Sequence, residues 1–455
     1  MIAPRRYLLH AAVVGAVCAC LFAPAALAAF TAAAPRTGLQ RAQRTLRTLA
    51  AEASSSSLQR ATADAARQLG NATDRSLWID SGHADAPSYG TRVITDSLAA
   101  LADLQQFGRA HFAEVNRAIK LIIDAQRTLA QGAISQAQGG NQSLLAAAGR
   151  AVATGNRVAS GGRSVLAVHS YRRAWGDAFV ALARLVAARL TSLPSAELAA
   201  SAENALGSPT IGLAGPRILP AGARRLVRAG KPELLYIGSE ACPYCGVERW
   251  GMVVALSQFG RFSNLHLMQS SAEESPHVTT LTFFGSRYHS AYISFVPVEA
   301  ISNVPKGLGF AHLQPLTLSE KALLRRFDSQ TTTPFVDMGG RFVSSSSIVQ
   351  PQLIQRKSWT QLAGAIADPS STSGQAIGGE AEVLTAEICE ATGGRPQSVC
   401  SAPVVQQYEA ALPQLNGSGG GCPVGTTSSD GLQVRGAKPA RAQGSLAQPA
   451  RCVTH

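Results

Sequence analysis

A chain of 455 residues exceeds what one ordinary core organises, so two or three domains are expected. Its 46% hydrophobic residues allow packed domains, while only 6% aromatic and 15% charged residues suggest Ala-rich helices joined by flexible linkers. The net charge of +13 is carried mostly by single Arg residues, with no basic cluster interleaved with aromatics, which argues against a nucleic-acid binder.

At the N-terminus Arg5-Arg6 precede an apolar run over residues 7–22, and Ala26-Leu27-Ala28 supplies small residues at signal-peptidase spacing. Residues 1–28 are therefore expected to be a signal peptide that sends the chain out of the cytoplasm, secreted or envelope-associated, with an uncleaved anchor as the alternative. Residues 29–205 read as an all-α, Ala-rich region, with apolar residues at three- and four-residue spacing over 39–51 and 96–130. Breaks are expected at 54–57, 81–90 and 139–140, and a long helix opens near His169 and ends near Pro194. A Pro- and Gly-containing linker covers 206–229.

The period then changes, and residues 230–368 read as an α/β domain. Strands are expected at 233–238 and 265–268, with a helix at 247–259 between them. A hairpin of 281–284 with 292–298 follows, then a helix at 319–329 capped by Ser319. A second hairpin, 334–338 with 341–344, turns across Gly339-Gly340, and a helix over 351–367 closes the domain. Residues 369–412 read as a Ser/Gly linker at 370–379 and two short helices, 381–391 and 402–412. From 413 to 455 Gly, Ser, Pro and basic residues predict a disordered tail.

The chemistry centres on Cys242-Pro243-Tyr244-Cys245, placed between a strand and a helix. A thiolate is the attacking species in disulfide exchange, so a redox cysteine needs a lowered pKa. The first sulfur of such a motif sits at a helix N-terminus, where unpaired N–H groups favour negative charge. The second lies one turn inward, within reach of a mixed disulfide. Cys242 is accordingly the candidate nucleophile and Cys245 the resolving thiol, with Pro243 suited to the first helical turn. Sulfur chemistry of this kind calls for no cofactor. Half of a zinc site and a permanently closed disulfide are the competing readings, although no second C-x-x-C or H-x-x-x-H follows.

Thr333-Pro334 opens an apolar strand well downstream and joins the candidate site, or is an ordinary strand start. Glu248, one turn beyond Cys245, is a candidate proton acceptor, or else pairs with Arg249; Glu240 is expected to be solvated. Cys389 and Cys400 read as a structural staple of two short helices, against a second redox pair as the sharper alternative. Cys422 and Cys452, in the tail, are candidates for pairing with each other.

The run from Gly230 to Trp250, GKPELLYIGSEACPYCGVERW, resembles the family catalogued as domain of unknown function 929. The segments VVALSQFGRFSNL, TLTFFGSRYHSAYISFVPVE, TTPFVDMGGRF and LTAEICEATGGRPQSVC extend the likeness over roughly residues 225–405. That resemblance implies a thioredoxin-like fold. The CPYC sequence is also similar to glutaredoxin and to some periplasmic disulfide isomerases, by which Cys242, Cys245 and Pro334 carry over as the site. In thioredoxin-like folds a cis-proline at that place lies beside the active disulfide and leaves backbone free for a substrate strand. The acidic residue that thioredoxins place on the preceding strand has no counterpart around Tyr236. The expected function is thiol–disulfide exchange on exported proteins, served by a membrane electron donor or acceptor. A non-catalytic envelope scaffold and a metal-binding module are the alternatives.

Overall fold

A computed structural model describes residues 34–78, 82–84, 88–107, 113–307, 309–328, 330–415, 426–428 and 452–454. The expected signal peptide, Cys422, the side chain of Cys452 and most of the expected tail lie outside the described residues.

The described residues open with seven α-helices: α1 (Pro35–Glu52), α2 (Ser56–Ala72), α3 (Ser88–Leu104), α4 (Ala113–Gln136), α5 (Gln142–Ser160), α6 (Ser164–Thr191) and α7 (Ser195–Glu203). Ala and Gly on their inner faces let the backbones approach closely. A Cβ added at Gly38 of α1 would stand 3.4 Å from the Ala125 Cβ of α4, and one at Gly155 of α5 would enter the Tyr171 ring of α6. The Tyr171 hydroxyl then donates to Asn156 Oδ1 at 2.8 Å, satisfying its polar end at the rim of that contact. Residues 96–130, a single run by periodicity, form parts of two helices, since α3 stops at Leu104 and α4 starts at Ala113. The long helix opens at Ser164, five residues before His169. Among the described residues no single helix is long and apolar enough to cross a membrane.

The second half is built on a mixed sheet. Its strands are β1 (Arg217–Ile218), β2 (Val227–Arg228) and β3 (Lys231–Ser239), followed by α8 (Pro243–Ser257), β4 (Gly260–Ser263), β5 (His266–Gln269), β6 (Thr279–Thr282), β7 (Arg287–Ser290), β8 (Ser294–Lys306) and β9 (Gly309–His312). After α9 (Leu318–Phe327) come β10 (Phe335–Met338), β11 (Phe342–Ser344), a 3₁₀ turn at Pro351–Leu353, α10 (Trp359–Ala365), α11 (Thr372–Thr392), α12 (Gln397–Cys400) and α13 (Pro403–Leu415). The main sheet runs β1-β11-β10-β3-β8-β9, with β2 also paired to β3. Central β3 is antiparallel to β10 and parallel to β8.

Alternation along β3 divides two cores. Leu234 and Tyr236 point into the large core shared with α8, while Leu235 and Ile237 join Val298, Phe335 and Leu324 of α9 on the other face. The large core continues without a break into the N-terminal helices, where Phe179 of α6 meets Trp359 of α10 edge-on at 5.9 Å.

Several expectations are corrected. Residues 281–284 and 292–298 do not form a hairpin: β6 pairs with β5, and β8 lies parallel to β3. A short apolar run does not reveal its partner, which here is set by the crossover through α8. The cap of α9 is Thr317, not Ser319: Thr317 Oγ1 accepts the Glu320 N–H, and Glu320 Oε2 accepts the Thr317 N–H at 2.7 Å. Residues 351–367 split into a 3₁₀ turn and α10. The Ser/Gly stretch expected as a linker is the start of α11, a helix with 21 residues and almost no exposed side. Its glycines serve close approach rather than flexibility. A Cβ at Gly379 would stand 2.6 Å from the Ala205 Cβ, and one at Gly374 would reach 2.0 Å from the Ala365 carbonyl oxygen. The hairpin β10–β11 does turn across Gly339-Gly340, at φ 64° and 66°.

Candidate functional site

Strand β3 delivers the chain to Ser239, and α8 begins four residues later with Cys242 as its N-cap. Pro243 at the first helical position has no N–H to leave unpaired. The Cys242 sulfur accepts the Cys245 N–H at 3.4 Å, so it occupies the place of a capping oxygen. On its other side it lies 3.5 Å from the Thr333 carbonyl oxygen, to which its S–H donates. The Thr333–Pro334 peptide bond is cis. The structure thus brings Cys242 and Cys245, at the start of α8, together with Thr333-Pro334, at the start of β10 and 91 residues from Cys242 in sequence.

The two thiols differ in environment. Cys242 is half-buried, and hydrogen bonding from the Cys245 side chain, then its N–H, pulls the Cys242 thiol below its ordinary pKa against the effect of burial. Cys245 is fully buried, and burial followed by the proton it shares with Cys242 pushes its thiol well up. The Ser239 N–H donates to Cys245 Sγ at 3.4 Å. Both sulfurs are free thiols. The arrangement offers one acidic, reachable sulfur and one protonated sulfur behind it.

Beneath the pair lies a buried ion pair that the sequence reading missed. Arg249 and Glu299 are each 0% exposed and meet at 2.8 Å through Nε and 2.7 Å through Nη2. The same Nη2 donates to the Ser239 carbonyl at 2.8 Å. The Tyr236 ring faces the guanidinium at 6.0 Å, and the side chain presses so closely on Gly238 that a Cβ there would stand 2.1 Å from its hydroxyl. The available signal was charge set within largely apolar runs, Arg249 beside Glu248 in α8 and Glu299 in β8.

Glu248 is placed elsewhere. It is fully buried on the face of α8 that packs against α11, where its Oε2 accepts the Ile348 N–H at 3.1 Å. Its carboxyl meets that of Glu380, which lies over Gly251. Burial lifts Glu248 to about 7, and burial together with the Glu248 charge pushes Glu380 well up. Glu387, one face-repeat along α11, is pushed up by burial as well. Arg249, the cation next to Glu248 in sequence, belongs to Glu299 instead. Glu240 is not freely solvated: it is half-buried and accepts the Thr282 hydroxyl at 2.7 Å.

Cys389 and Cys400 form a disulfide with Cα atoms 5.5 Å apart, tying the end of α11 to α12. Among the described residues there is no group of three or more His, Cys, Asp and Glu side chains able to hold a metal ion.

No curated protein and no solved structure matches the chain. The likeness read from the sequence over 225–405 is borne by its first part: residues 219–306, from the sheet edge through the CPYC turn to the end of β8, match the family described as Domain of unknown function (DUF929).

Proposed function

We propose that this protein is an exported thiol–disulfide oxidoreductase of thioredoxin-like fold, acting on cysteines of extracytoplasmic proteins. The observation that carries the reading is the half-buried Cys242 at the N-cap of α8, with the fully buried Cys245 thiol one turn behind. The fold assignment draws on a central strand leading into the motif, a parallel neighbour reached through α8, and antiparallel β10 opening beside Cys242. Export draws on Arg5-Arg6, the apolar run over 7–22 and the small residues at Ala26 and Ala28.

The exchange runs in two steps. The Cys242 thiolate attacks one sulfur of a client disulfide; the S–S bond breaks, and the departing client sulfur leaves as a thiolate that takes a proton. Cys245 then loses its proton and attacks the Cys242 sulfur. The mixed disulfide breaks, the second client thiol is released, and Cys242–Cys245 holds the new bond. Two electrons have moved to the client, and a dithiol donor, such as a membrane electron donor, restores the pair. The reverse sequence oxidises a client dithiol and passes the electrons to an acceptor.

Cys245→Ala removes the resolving thiol and should trap client proteins on Cys242 as adducts released by dithiothreitol. Absence of adducts from envelope extracts, together with no dithiothreitol-reversible Cys242–Cys245 bond by alkylation and mass spectrometry, would sink the reading.

A further inference from the structure

A full cation buried in a protein interior is costly unless something fixes it there. Arg249 stands one helical turn beyond Cys245 on α8 and is held from two sides. Glu299, opposite Gly238 in the parallel pairing of β8 with β3, grips Nε and Nη2. The Ser239 carbonyl takes a further bond from Nη2. Ser239 also donates its N–H to the Cys245 sulfur, so one residue joins the guanidinium to the thiol pair. Nη1 has no hydrogen-bond partner, although the side chain is 0% exposed. An apolar residue would fill this space without these demands, and the geometry leaves the cation facing the region where negative sulfur forms.

We propose that Arg249, oriented by Glu299, is a positioning residue that sets the acidity of the Cys242–Cys245 pair by stabilising thiolate charge. The inference rests on the reading of these cysteines as an exchanging pair. It adds the regulator of their poise: the Arg249 charge takes the part that a strand acid takes elsewhere, with opposite sign. Arg249 is among the influences that lower both thiols, smaller than the hydrogen bond between them. The opposite charge of Glu299 is expected to offset it, so removing either charge should shift the thiols in opposed directions.

That opposition supplies the test. The full chain is made as wild type, Glu299→Gln, Arg249→Lys and the double variant Arg249→Gln/Glu299→Gln, in which amides replace both charges and keep hydrogen bonding. Iodoacetamide labelling of Cys242 is followed from pH 4 to 10 by peptide-resolved mass spectrometry, and urea midpoints report folding. Expected are a Cys242 thiol pKa raised by about one unit in the double variant, tenfold in thiolate population. Arg249→Lys should stay near wild type, and Glu299→Gln should fall below it. Equilibration with glutathione disulfide, which yields the protein disulfide and two glutathiones, should shift toward the protein disulfide in the double variant.

A merely structural role would move the urea midpoints without this order of thiol acidities. If the double variant does not fold, Glu299→Gln decides alone, and an unchanged or raised Cys242 pKa in it overturns the proposal. Loss of the order while wild type still forms a dithiothreitol-reversible bond defeats the Arg249 role only. Failure of wild type to form that bond defeats the oxidoreductase reading itself.

Discussion

Glu248→Gln is expected to remove the Glu248 share of a pH-dependent loss of stability at this site. In the folded chain burial lifts the Glu248 carboxyl from 4.5 to about 7, so the folded state holds a proton that the unfolded chain releases across that interval. The sign follows directly. The stability linked to this proton is complete below about pH 4.5 and is lost as pH rises through about 7. At 1.36 kcal/mol per unit, the shift is worth about 3 kcal/mol, with no discount for solvent because the residue is 0% exposed. Gln keeps the volume, keeps an acceptor for the Ile348 N–H and offers a donor to Glu380. Urea unfolding followed by tryptophan fluorescence should place the two proteins within about 1 kcal/mol at pH 4.5. At pH 8 the variant should be the more stable by about 3 kcal/mol. A separation that does not change with pH, or a variant that loses ground as pH rises, would refute the reasoning. Glu380→Gln should act in the same direction, since its carboxyl is also pushed well up.

Other outcomes are specific. At neutral pH and short times, iodoacetamide should label Cys242 and spare Cys245, which is fully buried; equal labelling in the folded protein would contradict the asymmetry. Changing both Cys389 and Cys400 to Ser opens a loop of sequence separation 11 and should cost about 3 kcal/mol in the chain-entropy account, read as a lower urea midpoint. Gly251→Ala places a Cβ within 2.3 Å of Glu380 Cγ and should cost about 1–3 kcal/mol. Gly149→Ala, in a helix with open space at that position, should instead stabilise by about 0.5–1 kcal/mol, so a loss at both sites would point away from packing as the cause.

The sequence disclosed the parts of the site that depend on local order. A strand, a C-x-x-C turn with proline after the first cysteine and a following helix place Cys242 at an N-cap with no help from distant residues. Thr333-Pro334 was visible as a strand start, but only the pairing of β10 with β3 brings its carbonyl to Cys242. The buried ion pair was not legible, because its halves lie 50 residues apart and meet through the parallel pairing of β3 with β8. Residues 370–379 misled for a different reason. Gly and Ser signal flexibility when exposed, yet the same small residues permit the tightest helix contacts when buried, and periodicity alone does not separate the two.

Helix α8 explains why Glu248 and Arg249, adjacent in sequence, have unrelated surroundings. A helix covered on nearly every side shows little amphipathic pattern, so its charged residues cannot be assigned to a solvent face by spacing. Successive positions turn by about 100°, which sends Glu248 toward α11 and Arg249 beneath β3 and β8. One face then holds carboxyls with no cation, the other a cation with a single carboxylate. A proton neutralises the first arrangement, whereas the second keeps its charges and acts on whatever lies near it. What lies near it is the sulfur pair. By these shifts the carboxyls of α8 and α11 should tie stability to pH, and on the proposal made above Arg249 with Glu299 acts on the thiols at the helix N-terminus. Substitutions on the two faces should separate accordingly, one set moving urea midpoints with pH and the other moving the acidity of Cys242.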